Sequence, residues 1–428
     1  MNNAKMGFVL FILLAILAIR FFLFYSHKST YIDGQEIHFE TTLLSEPSII
    51  SNSQRVSANL ASGDKIYITI PRYPEYHYGD ILKISGAVKF STGTKTSTQS
   101  KRLTTNEKTI MTMFFPKIEA DKNEQNYILS VASFVRQKVI VLFEKTLDQT
   151  SSSLLLGIVF GIKKEMPLEF TDSIRKVGVM HVIAASGMNV TMVAGFLSSL
   201  FGFFLNRKAA LLLTAAAVLF YAVMSGLQPS IIRAAIMGIL VFSAQVIGRQ
   251  RLSYYILFLT AFLMLFISPN LIEDIGFQLS FLATFGLLYL KPMFDRMHKV
   301  EVVKKFVIGE DVSTTVAAQV STLPIILMNF GAYSLWSILV NGLLLWTIPI
   351  IMVLGGVGAI IGIIFEPLGQ LFIYLSLPFL LLFEKVVVVF AGFGGTVNLI
   401  DFPWQFVLAY YLILLGFSIF LNRKKQYA

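Results

Sequence analysis

Residues 181–190 read His181-Val-Ile-Ala-Ala-Ser-Gly-Met-Asn-Val190, and this stretch decides the class of fold that the chain adopts. It sets His181, Ser186 and Asn189 inside a segment that is otherwise apolar enough to cross a bilayer. A polar group without a partner in hydrocarbon costs several kcal/mol, so such side chains normally face another helix or a wet cavity. Polar residues at membrane depth mark a pathway by default. The stretch therefore predicts an integral membrane protein with a polar interior.

The composition of the whole chain indicates the same class. Hydrophobic residues make up 55% of the 428 residues and charged residues only 14%, and the mean hydropathy is +0.70. The formal net charge of +10 is interpreted as Lys and Arg that gather in cytoplasmic loops, and attraction of anionic lipid or nucleic acid is the alternative. The sequence contains no cysteine, no metal-ligand spacing of histidines and no Walker A motif. It therefore predicts neither a cofactor nor a metal site.

The first two regions differ sharply in pattern. Residues 1–28 are predicted to form an uncleaved transmembrane helix, because Met6–Tyr25 is apolar and no small-residue cleavage site follows. Residues 29–118 are predicted to form a small β-barrel of OB type outside the cytoplasm, since short β-branched and aromatic runs alternate with turn residues. The predicted strands are Glu36–Leu44, Gln54–Leu60, Lys65–Ile70, Asp80–Phe90 and Lys108–Phe115.

The end of this β-region is basic. Between Asp80 and Lys117, Lys and Arg outnumber acidic residues, and Ser91–Thr105 reads as a loop. A solvated face explains the excess, and a groove for a single nucleic-acid strand is the alternative. The candidate DNA-binding residues are Lys83, Lys89, Lys101 and Arg102.

Residues 119–177 are predicted to form amphipathic, interfacial helices. Tyr127–Leu147 sets an apolar stripe against Arg136, Lys138 and Lys145, which is typical of a helix that lies on the membrane surface. Ser151–Gly178 consists of short mixed segments too polar for a clean span.

Residues 178–428 are predicted to form a multi-helix membrane domain, the channel domain. The 333–365 segment is too long for one straight helix and contains Pro349 and Gly355–Gly356, so we expect a helix that is broken within the membrane and lines a cavity. The predicted spans are 179–205, 209–225, 230–247, 252–268, 273–290, 313–329, 333–365, 368–391 and 404–421.

The basic loops give a consistent topology. If the spans alternate as predicted, the clusters at Arg207–Lys208, Gly248–Arg251, Lys291–Lys305 and Arg423–Lys425 fall on one side. The fold class is therefore a polytopic α-helical membrane protein with about ten transmembrane helices, cytoplasmic N- and C-termini and an extracytoplasmic OB-like domain after the first helix. The predicted location is the plasma membrane.

The polar positions within these spans belong to four sequence motifs, and two further matching stretches, Leu154-Leu-Leu-Gly-Ile and Phe170–Val179, precede them. The four motifs are His181–Val190, Gly226-Leu-Gln-Pro-Ser-Ile-Ile-Arg-Ala-Ala-Ile-Met with Gly248-Arg249, Gly276-Phe-Gln-Leu-Ser-Phe-Leu-Ala-Thr-Phe-Gly, and Gln319-Val-Ser-Thr-Leu-Pro with Phe330-Gly and Asn341. In this order the chain resembles the ComEC family of competence DNA-uptake channels. The resemblance implies a channel that passes single-stranded DNA into the cytoplasm during natural transformation, with an OB-type domain after the first helix.

The resemblance also implies partner proteins, and the chain departs from the family pattern at two points. An extracytoplasmic DNA receptor and a cytoplasmic helicase or ATPase are expected, since the chain has no nucleotide site. The family signature usually reads Ser-Gly-Leu-His, whereas this chain has Ser186-Gly187-Met188-Asn189, and Asn carries no proton charge. The His-x-His-x-Asp-His cluster of a metallo-β-lactamase-like nuclease domain is missing, so degradation of a strand is expected from a separate nuclease.

The residues expected to line the DNA pathway are polar or small and lie within the spans. They are His181, Ser186, Gly187, Asn189, Ser230, Arg233, Gln278, Ser280, Gln319 and Asn341. Arg233 is the charged member, and its guanidinium suits a phosphate bidentately. The alternative role for Arg233 is a structural contact between helices, and for Gln278, Ser280, Gln319 and Asn341 it is interhelical hydrogen bonding. Glu384–Lys385 is assigned a structural or interfacial role.

Two alternative functions remain open from the sequence. One is a transporter of a small anionic solute on the same scaffold. The other is a membrane-embedded hydrolase that uses His181 and Ser186, although five residues on a helix do not bring the two side chains face to face. We expect no enzymatic activity. A third possibility is that the OB-type domain only anchors a protein complex.

Overall fold

The computed structural model describes residues 3–26, 31–43, 47–50, 53–60, 65–76, 78–92, 109–121, 127–162, 164, 166–183, 187–246, 253–297, 308–398 and 403–423. The chain divides into two compact units. We call residues 14–141 with 220–227 the strand unit. The helical unit comprises residues 1–13, 142–219 and 228–428.

The strand unit begins within the first helix, α1, which spans Asn3–Ser26. Its strands are β1 Glu36–Thr42, β2 Ser48–Ile50, β3 Ser53–Asn59, β4 Lys65–Pro71, β5 Ile81–Ala87, β6 Lys89–Thr92, β7 Thr109–Phe114 and β8 Lys117–Asp121. All five predicted stretches contain strands. The sequence did not predict β2 or β8, and β8 extends the strand region past residue 118.

These strands form two sheets. β1, β5 and β8 make an antiparallel three-stranded sheet in the order β1-β5-β8, and the other five are ordered β2-β3-β4-β7-β6. β4 and β7 pair in parallel, whereas the other pairs of the larger sheet are antiparallel. Ile66, Ile68 and Ile70 of β4 are fully buried, and each stabilises the core by about 1.5–3 kcal/mol. The OB-type closure of these sheets stays a prediction.

Helix α2 spans Tyr127–Thr146, as predicted, but the expected position of Arg136 on its polar face is wrong. Arg136 is buried. Its Nη1 donates to the Met224 carbonyl at 2.8 Å, and its guanidinium carbon lies 5.2 Å from the Tyr78 ring centre. The Tyr78 hydroxyl donates to the Val223 carbonyl at 2.5 Å. The physical reason is that the last carbonyls of a helix lack intrahelical partners and favour a cation.

In the helical unit every predicted span contains a helix. The helices that follow α2 are α3 Gln149–Phe160, α4 Leu168–Val177, α5 Met180–Ile183, α6 Gly187–Phe204, α7 Arg207–Met224, α8 Pro229–Val246, α9 Ser253–Ile267, α10 Ile275–Tyr289, α11 Lys291–Met297, α12 Ile308–Phe330, α13 Ser337–Leu344, α14 Thr347–Ile364, α15 Glu366–Gly392 and α16 Trp404–Arg423. A short 3₁₀ helix, Pro269–Glu273, precedes α10, and strands β9 Ala332–Ser334 and β10 Thr396–Asn398 pair with each other. The last residues of α7 belong to the strand unit.

The chain is a mostly helical membrane protein. Among the described residues, five helices are long and apolar enough to cross a membrane: Met180–Phe204, Arg207–Met224, Ile275–Asp295, Thr347–Ile364 and Glu366–Gly392. Shorter apolar stretches lie at Phe11–Ser26, Gln149–Phe160, Pro229–Ser243, Ser253–Ile267 and Trp404–Gly416. The number of crossings, predicted as about ten, therefore stays a prediction.

The segment 333–365 is broken, as predicted, but not at Pro349 or at Gly355–Gly356. Helices α13 and α14 meet at Leu345 and Trp346. Pro349 lies in the first turn of α14, where a missing N–H removes no intrahelical bond. Gly355 instead lets α14 approach α3, because a Cβ on it would lie 2.7 Å from Leu155 Cδ1.

Small residues allow the other close helix contacts. A Cβ on Gly369 of α15 would lie 2.6 Å from the Gly358 carbonyl oxygen of α14. A Cβ on Gly286 of α10 would lie 2.7 Å from the Ala317 carbonyl oxygen of α12. Contacts of this kind let backbones pack closely in membrane proteins. They hold together the helices that carry the polar residues described next.

Candidate functional site

Arg233 lies in the second turn of α8 and joins this helix to α10. It is 8% exposed, and its Nη1 donates to the Ser280 carbonyl and to the Thr284 hydroxyl. Thr284 in turn donates to the same Ser280 carbonyl at 2.9 Å. The guanidinium carbon lies 5.8 Å from the centre of the Phe281 ring. A charge at this depth is costly, by about 2.5–3.5 kcal/mol on insertion scales, which explains why it faces other helices.

Gly187, the first residue of α6, completes this cluster. A Cβ at this position would collide with Arg233 Nη2, and it would lie 3.7 Å from Ala234 Cβ. Because Ser280 and Thr284 hold the guanidinium in place, a side chain at position 187 would force it to move. Helices α6, α8 and α10 converge at Arg233, and we call Gly187, Arg233, Ser280 and Thr284 the arginine cluster.

The guanidinium of the arginine cluster keeps unused hydrogen-bonding capacity. It offers five N–H donors, and the hydrogen bonds to Ser280 and Thr284 both come from Nη1. Its Nε is buried and has no hydrogen-bond partner among the residues that the structure describes. A buried donor left without a partner costs about 1–3 kcal/mol. The arginine cluster therefore holds a fixed positive charge that can donate hydrogen bonds to an anionic oxygen.

Asn189, two residues further along α6, makes a different contact. Its side chain is buried, and Nδ2 donates to the Ile158 carbonyl at 2.7 Å. Ile158 is in the last turn of α3, where carbonyls have no intrahelical partner. Gln228 likewise donates to the Gly161 carbonyl at 2.9 Å. Asn189 thus caps a helix end through a neutral amide, and its role in the pathway stays a prediction.

The two predicted pathway residues of α10, Gln278 and Ser280, make hydrogen bonds through different kinds of atom. Gln278 Nε2 donates to the Ile272 carbonyl at 2.7 Å, within the 3₁₀ turn before the helix. Ser280 contributes its backbone carbonyl to the arginine cluster. Of these two residues, Ser280 is therefore hydrogen-bonded to Arg233, while Gln278 connects the start of α10 to the preceding 3₁₀ turn.

Gln319 and Asn341 belong to a second polar group near β9. Gln319 Nε2 donates to the Ser337 hydroxyl at 2.8 Å, and its Oε1 accepts from the Tyr333 hydroxyl at 2.6 Å. Asn341 is 2% exposed, and its Oδ1 has no hydrogen-bond partner among the described residues. These contacts make Gln319 a bridge between α12, β9 and α13.

The remaining pathway candidates are less informative. His181 is exposed on α5, and Ser230 is half-buried in the first turn of α8. Ser186 lies outside the described residues, so the geometry of a His181–Ser186 pair is not defined.

The two basic candidates of the β-region that the structure describes, Lys83 and Lys89, lie in different sheets. Lys83 lies on β5 between Glu40 of β1 and Glu119 of β8, whereas Lys89 lies on β6 in the other sheet. Lys101 and Arg102 fall outside the described residues. Lys83 and Lys89 therefore sit in different electrostatic surroundings, and only that of Lys89 lacks acidic cross-strand partners.

The sequence reasoning did not single out Thr284. It lies four residues after Ser280, within the motif Gly276–Gly286, so both residues lie on the same face of the helix. This spacing could have identified Thr284 from the sequence. Tyr333, by contrast, is the first residue of the predicted span 333–365, and no spacing in the sequence related it to Gln319.

Comparisons with known proteins give the family context. The model of the competence protein family matches residues 158–425. The chain is 25% identical over 221 residues to ComE operon protein 3 of Bacillus subtilis (strain 168), which is 51% of this chain and 27% of that protein. It is 32% identical over 154 residues to an uncharacterised protein of Aquifex aeolicus (strain VF5), 36% of each chain. The chain thus spans about a third or less of these relatives. No solved structure matches this chain.

Proposed function

Because this chain belongs to the competence protein family, whose model covers residues 158–425, we propose that it takes part in the uptake of DNA during competence. Specifically, it passes single-stranded DNA across the plasma membrane into the cytoplasm during natural transformation. It acts as a channel and not as an enzyme. The observation that carries this proposal is the arginine cluster, in which three apolar helices bring polar groups around one buried cation.

The physics of strand transport explains why such a cluster suits the task. A single strand carries one negative charge per nucleotide, so its passage needs a wet, polar and weakly positive route. Binding must also be loose enough for the strand to leave. One guanidinium fixed by Ser280 and Thr284 supplies a phosphate contact without a dense field of charge.

The finer organisation follows the sequence. We propose about ten crossings with both termini in the cytoplasm, in agreement with the positive-inside rule. Residues 29–121, up to the end of β8, form an OB-type barrel outside the cytoplasm. The helices between β8 and residue 177 are interfacial, and residues 178–428 form the channel domain. An extracytoplasmic receptor delivers the DNA, a cytoplasmic helicase or ATPase supplies work, and a separate nuclease degrades the other strand.

Complementation tests this proposal. Cells that lack the protein should lose transformation, and the wild-type gene should restore it. Arg233→Ala should lower the transformation frequency about tenfold or more, because a hydrogen bond to a charged group contributes about 1.5–3 kcal/mol. Arg207→Ala, an exposed arginine at the start of α7, is the matched control and should transform normally. Unimpaired transformation of the deletion strain would contradict the proposed channel function. Equal effects of Arg233→Ala and Arg207→Ala at normal protein level would contradict a role of Arg233 in transport.

A further inference from the structure

Helix α15 of the helical unit carries a carboxyl group far from both of its ends. The helix spans Glu366–Gly392 and is long and apolar enough to cross a membrane. Glu384 lies eight residues before the end of this helix, which is about 12 Å along its axis, whereas the hydrocarbon core is about 30 Å thick. Its side chain is half-buried. An ionisable side chain at this depth is costly and marks a functional position.

Glu384 contacts the buried start of helix α3. Ser151 is fully buried, and its Oγ donates to Glu384 Oε1 at 2.9 Å. The same serine contacts a second carboxyl group, because its backbone N–H donates to Asp148 Oδ2 at 3.3 Å. Asp148 is the N-cap of α3 and also accepts from the Thr150 N–H at 3.1 Å. Two carboxyl groups therefore meet at one serine, and we call Asp148, Ser151 and Glu384 the carboxyl site.

The two carboxyl groups of the carboxyl site lack a cationic partner. Neither Asp148 nor Glu384 forms an ion pair within the part of the chain that the structure describes. Lys385 is exposed, and neighbouring residues of a helix do not face each other. Asp148 is near enough to act on the Glu384 carboxyl electrostatically. Because like charges at close range repel each other, the carboxyl site favours a bound positive charge.

The helices around α15 bring few charges to the carboxyl site. Helix α15 packs against α3, α4, α13 and α14. The sequences of α13 and α14 contain no titratable residue, and that of α3 adds none to its cap Asp148. The charged residues of α4 are all exposed: Glu169, Asp172, Arg175 and Lys176. On α15 itself, the titratable residues besides Glu384 are Glu366, Tyr374 and Lys385. Glu384 therefore responds chiefly to Asp148 and to a bound cation.

A second hydroxyl at the start of α3 supports a bound species. Ser152 follows Ser151 and is 1% exposed, and its Oγ has no hydrogen-bond partner among the described residues. A buried polar group without a partner costs about 1–3 kcal/mol. In proteins such a group is normally satisfied by an ordered water or an ion. This hydroxyl is therefore an observation, independent of the two carboxyl groups, that indicates a small polar ligand.

We propose that the carboxyl site binds and releases a proton, with Glu384 as the proton-binding group, Ser151 as the residue that positions it and Asp148 as its connection to water. The exposed Asp148 takes a proton from water and passes it to Glu384, whose carboxylate becomes the neutral acid. Release reverses both transfers, and no other bond changes. The sequence assigned Glu384 only a structural or interfacial role.

A proton suits the carboxyl site better than a metal ion does. One carboxyl oxygen beside a hydroxyl is enough to hold a proton, and the bond between Ser151 and Glu384 provides this arrangement. Mg²⁺ and Ca²⁺ take about six or more oxygen ligands. The described residues hold no group of three or more acidic or histidine side chains that could bind a metal ion.

The role of the proton in transport rests on the proposed function. Each nucleotide brings one negative charge into the cell, and moving a charge against the membrane potential costs about 2.3 kcal/mol per 100 mV. A proton that crosses with a nucleotide cancels its charge and so lowers the work of transport. A carboxylate repels phosphate, so Glu384 belongs to a proton route beside the strand and not to the lining of the strand's own route.

Infrared difference spectra between acidic and alkaline pH test the site in the purified full-length protein in lipid vesicles. The wild type should show the band of a protonated carboxyl group that is shielded from water. Glu384→Gln should remove this band, because an amide does not titrate. The matched control is Glu366→Gln on the same helix, which removes an exposed carboxyl group and should keep the band.

Two further variants test the other members of the carboxyl site, and melting curves establish that all variants are folded. Ser151→Ala keeps both carboxyl groups but loses the hydrogen bond to Glu384, so it should change the pH midpoint of the band without removing it. Asp148→Asn should slow the exchange of the bound proton for deuterium in heavy water, because the connection to water is lost. Unchanged midpoint and exchange in these variants would contradict the roles of Ser151 and Asp148.

Replacing sodium by potassium at constant ionic strength distinguishes a proton from a metal cation. The midpoint of the band should not change. A midpoint that depends on sodium would show that Glu384 binds this ion, and the proton assignment would be wrong. The proposal is also wrong if the wild type lacks the band or if Glu384→Gln retains it.

Transformation tests the coupling to DNA uptake separately. At normal protein level, Glu384→Gln should lower the transformation frequency, whereas Glu366→Gln should transform normally. Normal transformation of a Glu384→Gln strain whose protein lacks the band would show that the proton is not coupled to transport, and this part of the proposal would be wrong. The proposed function would stand in that case, because complementation of the deletion strain decides it independently.

Discussion

Gly187 and Arg233 depend on each other. The glycine begins α6 beside the guanidinium, and a Cβ there would occupy the space of Nη2. At the first position of the helix, the missing side chain of glycine leaves this space to the buried cation. Residues 181–190 predicted the membrane segment, but they could not reveal that Arg233 is the neighbour, because it comes from another helix.

We predict that Gly187→Ala destabilises the protein by about 1–3 kcal/mol, the usual cost of overpacking. The matched control is Gly195→Ala on the same helix, where a new Cβ meets nothing within 4 Å. That control should be neutral or stabilising by up to about 1 kcal/mol, since alanine favours the helix. Thermal unfolding in detergent measures both, and a Gly187→Ala variant as stable as its control would contradict the geometry of the arginine cluster.

Helix α12 carries a proline in its C-terminal half, and α16 provides hydrogen bonds at this point. Pro324 has no N–H, so the Val320 carbonyl four residues earlier loses its intrahelical partner. The Tyr410 hydroxyl of α16 donates to this carbonyl at 2.9 Å. The adjacent Tyr411 donates to the Ser321 carbonyl at 2.8 Å. Two tyrosines thus attach α16 to the point where α12 is interrupted.

This pairing makes a double-mutant prediction. Tyr410→Phe should destabilise the protein by about 1–3 kcal/mol, because the Val320 carbonyl is left without a partner. In a Pro324→Ala background the restored N–H takes over, so the same change should cost about 1 kcal/mol less. Thermal unfolding of the four proteins gives the coupling.

Tyr411→Phe is the control, since its partner carbonyl does not depend on the missing N–H of Pro324. Its effect should be the same in both backgrounds. An equal cost of Tyr410→Phe with and without Pro324 would show that the proline and the tyrosine act independently.

At the level of elements, the sequence predicted what depends on local pattern. The alternation of Ile66, Tyr67 and Ile68 identified β4, and long apolar runs identified the helices. The break at Leu345 and Trp346 was misplaced, because Pro349 falls where a helix tolerates it. The burial of Arg136 was missed because its partner Met224 is 88 residues away along the chain. Likewise, only strand pairing separates Lys83 from Lys89.

At the scale of the whole molecule, family membership supports a role in DNA uptake, and we propose that the arginine cluster serves that role. The family model covers residues 158–425 and so includes every helix of the cluster. The geometry adds what similarity does not give: which atoms surround the charge, and that Asn189 caps α3.

The central claim is that the arginine cluster borders a hydrated route for DNA, and cysteine accessibility tests it most directly. The chain contains no cysteine, so Ser280→Cys and Thr284→Cys report without background. In cells engaged in uptake, a charged thiol reagent should modify both positions, and single-stranded DNA should protect them, whereas Phe196→Cys on the exposed side of α6 should not be protected. Failure of the reagent to reach positions 280 and 284, in cells whose variants still transform, would contradict the account.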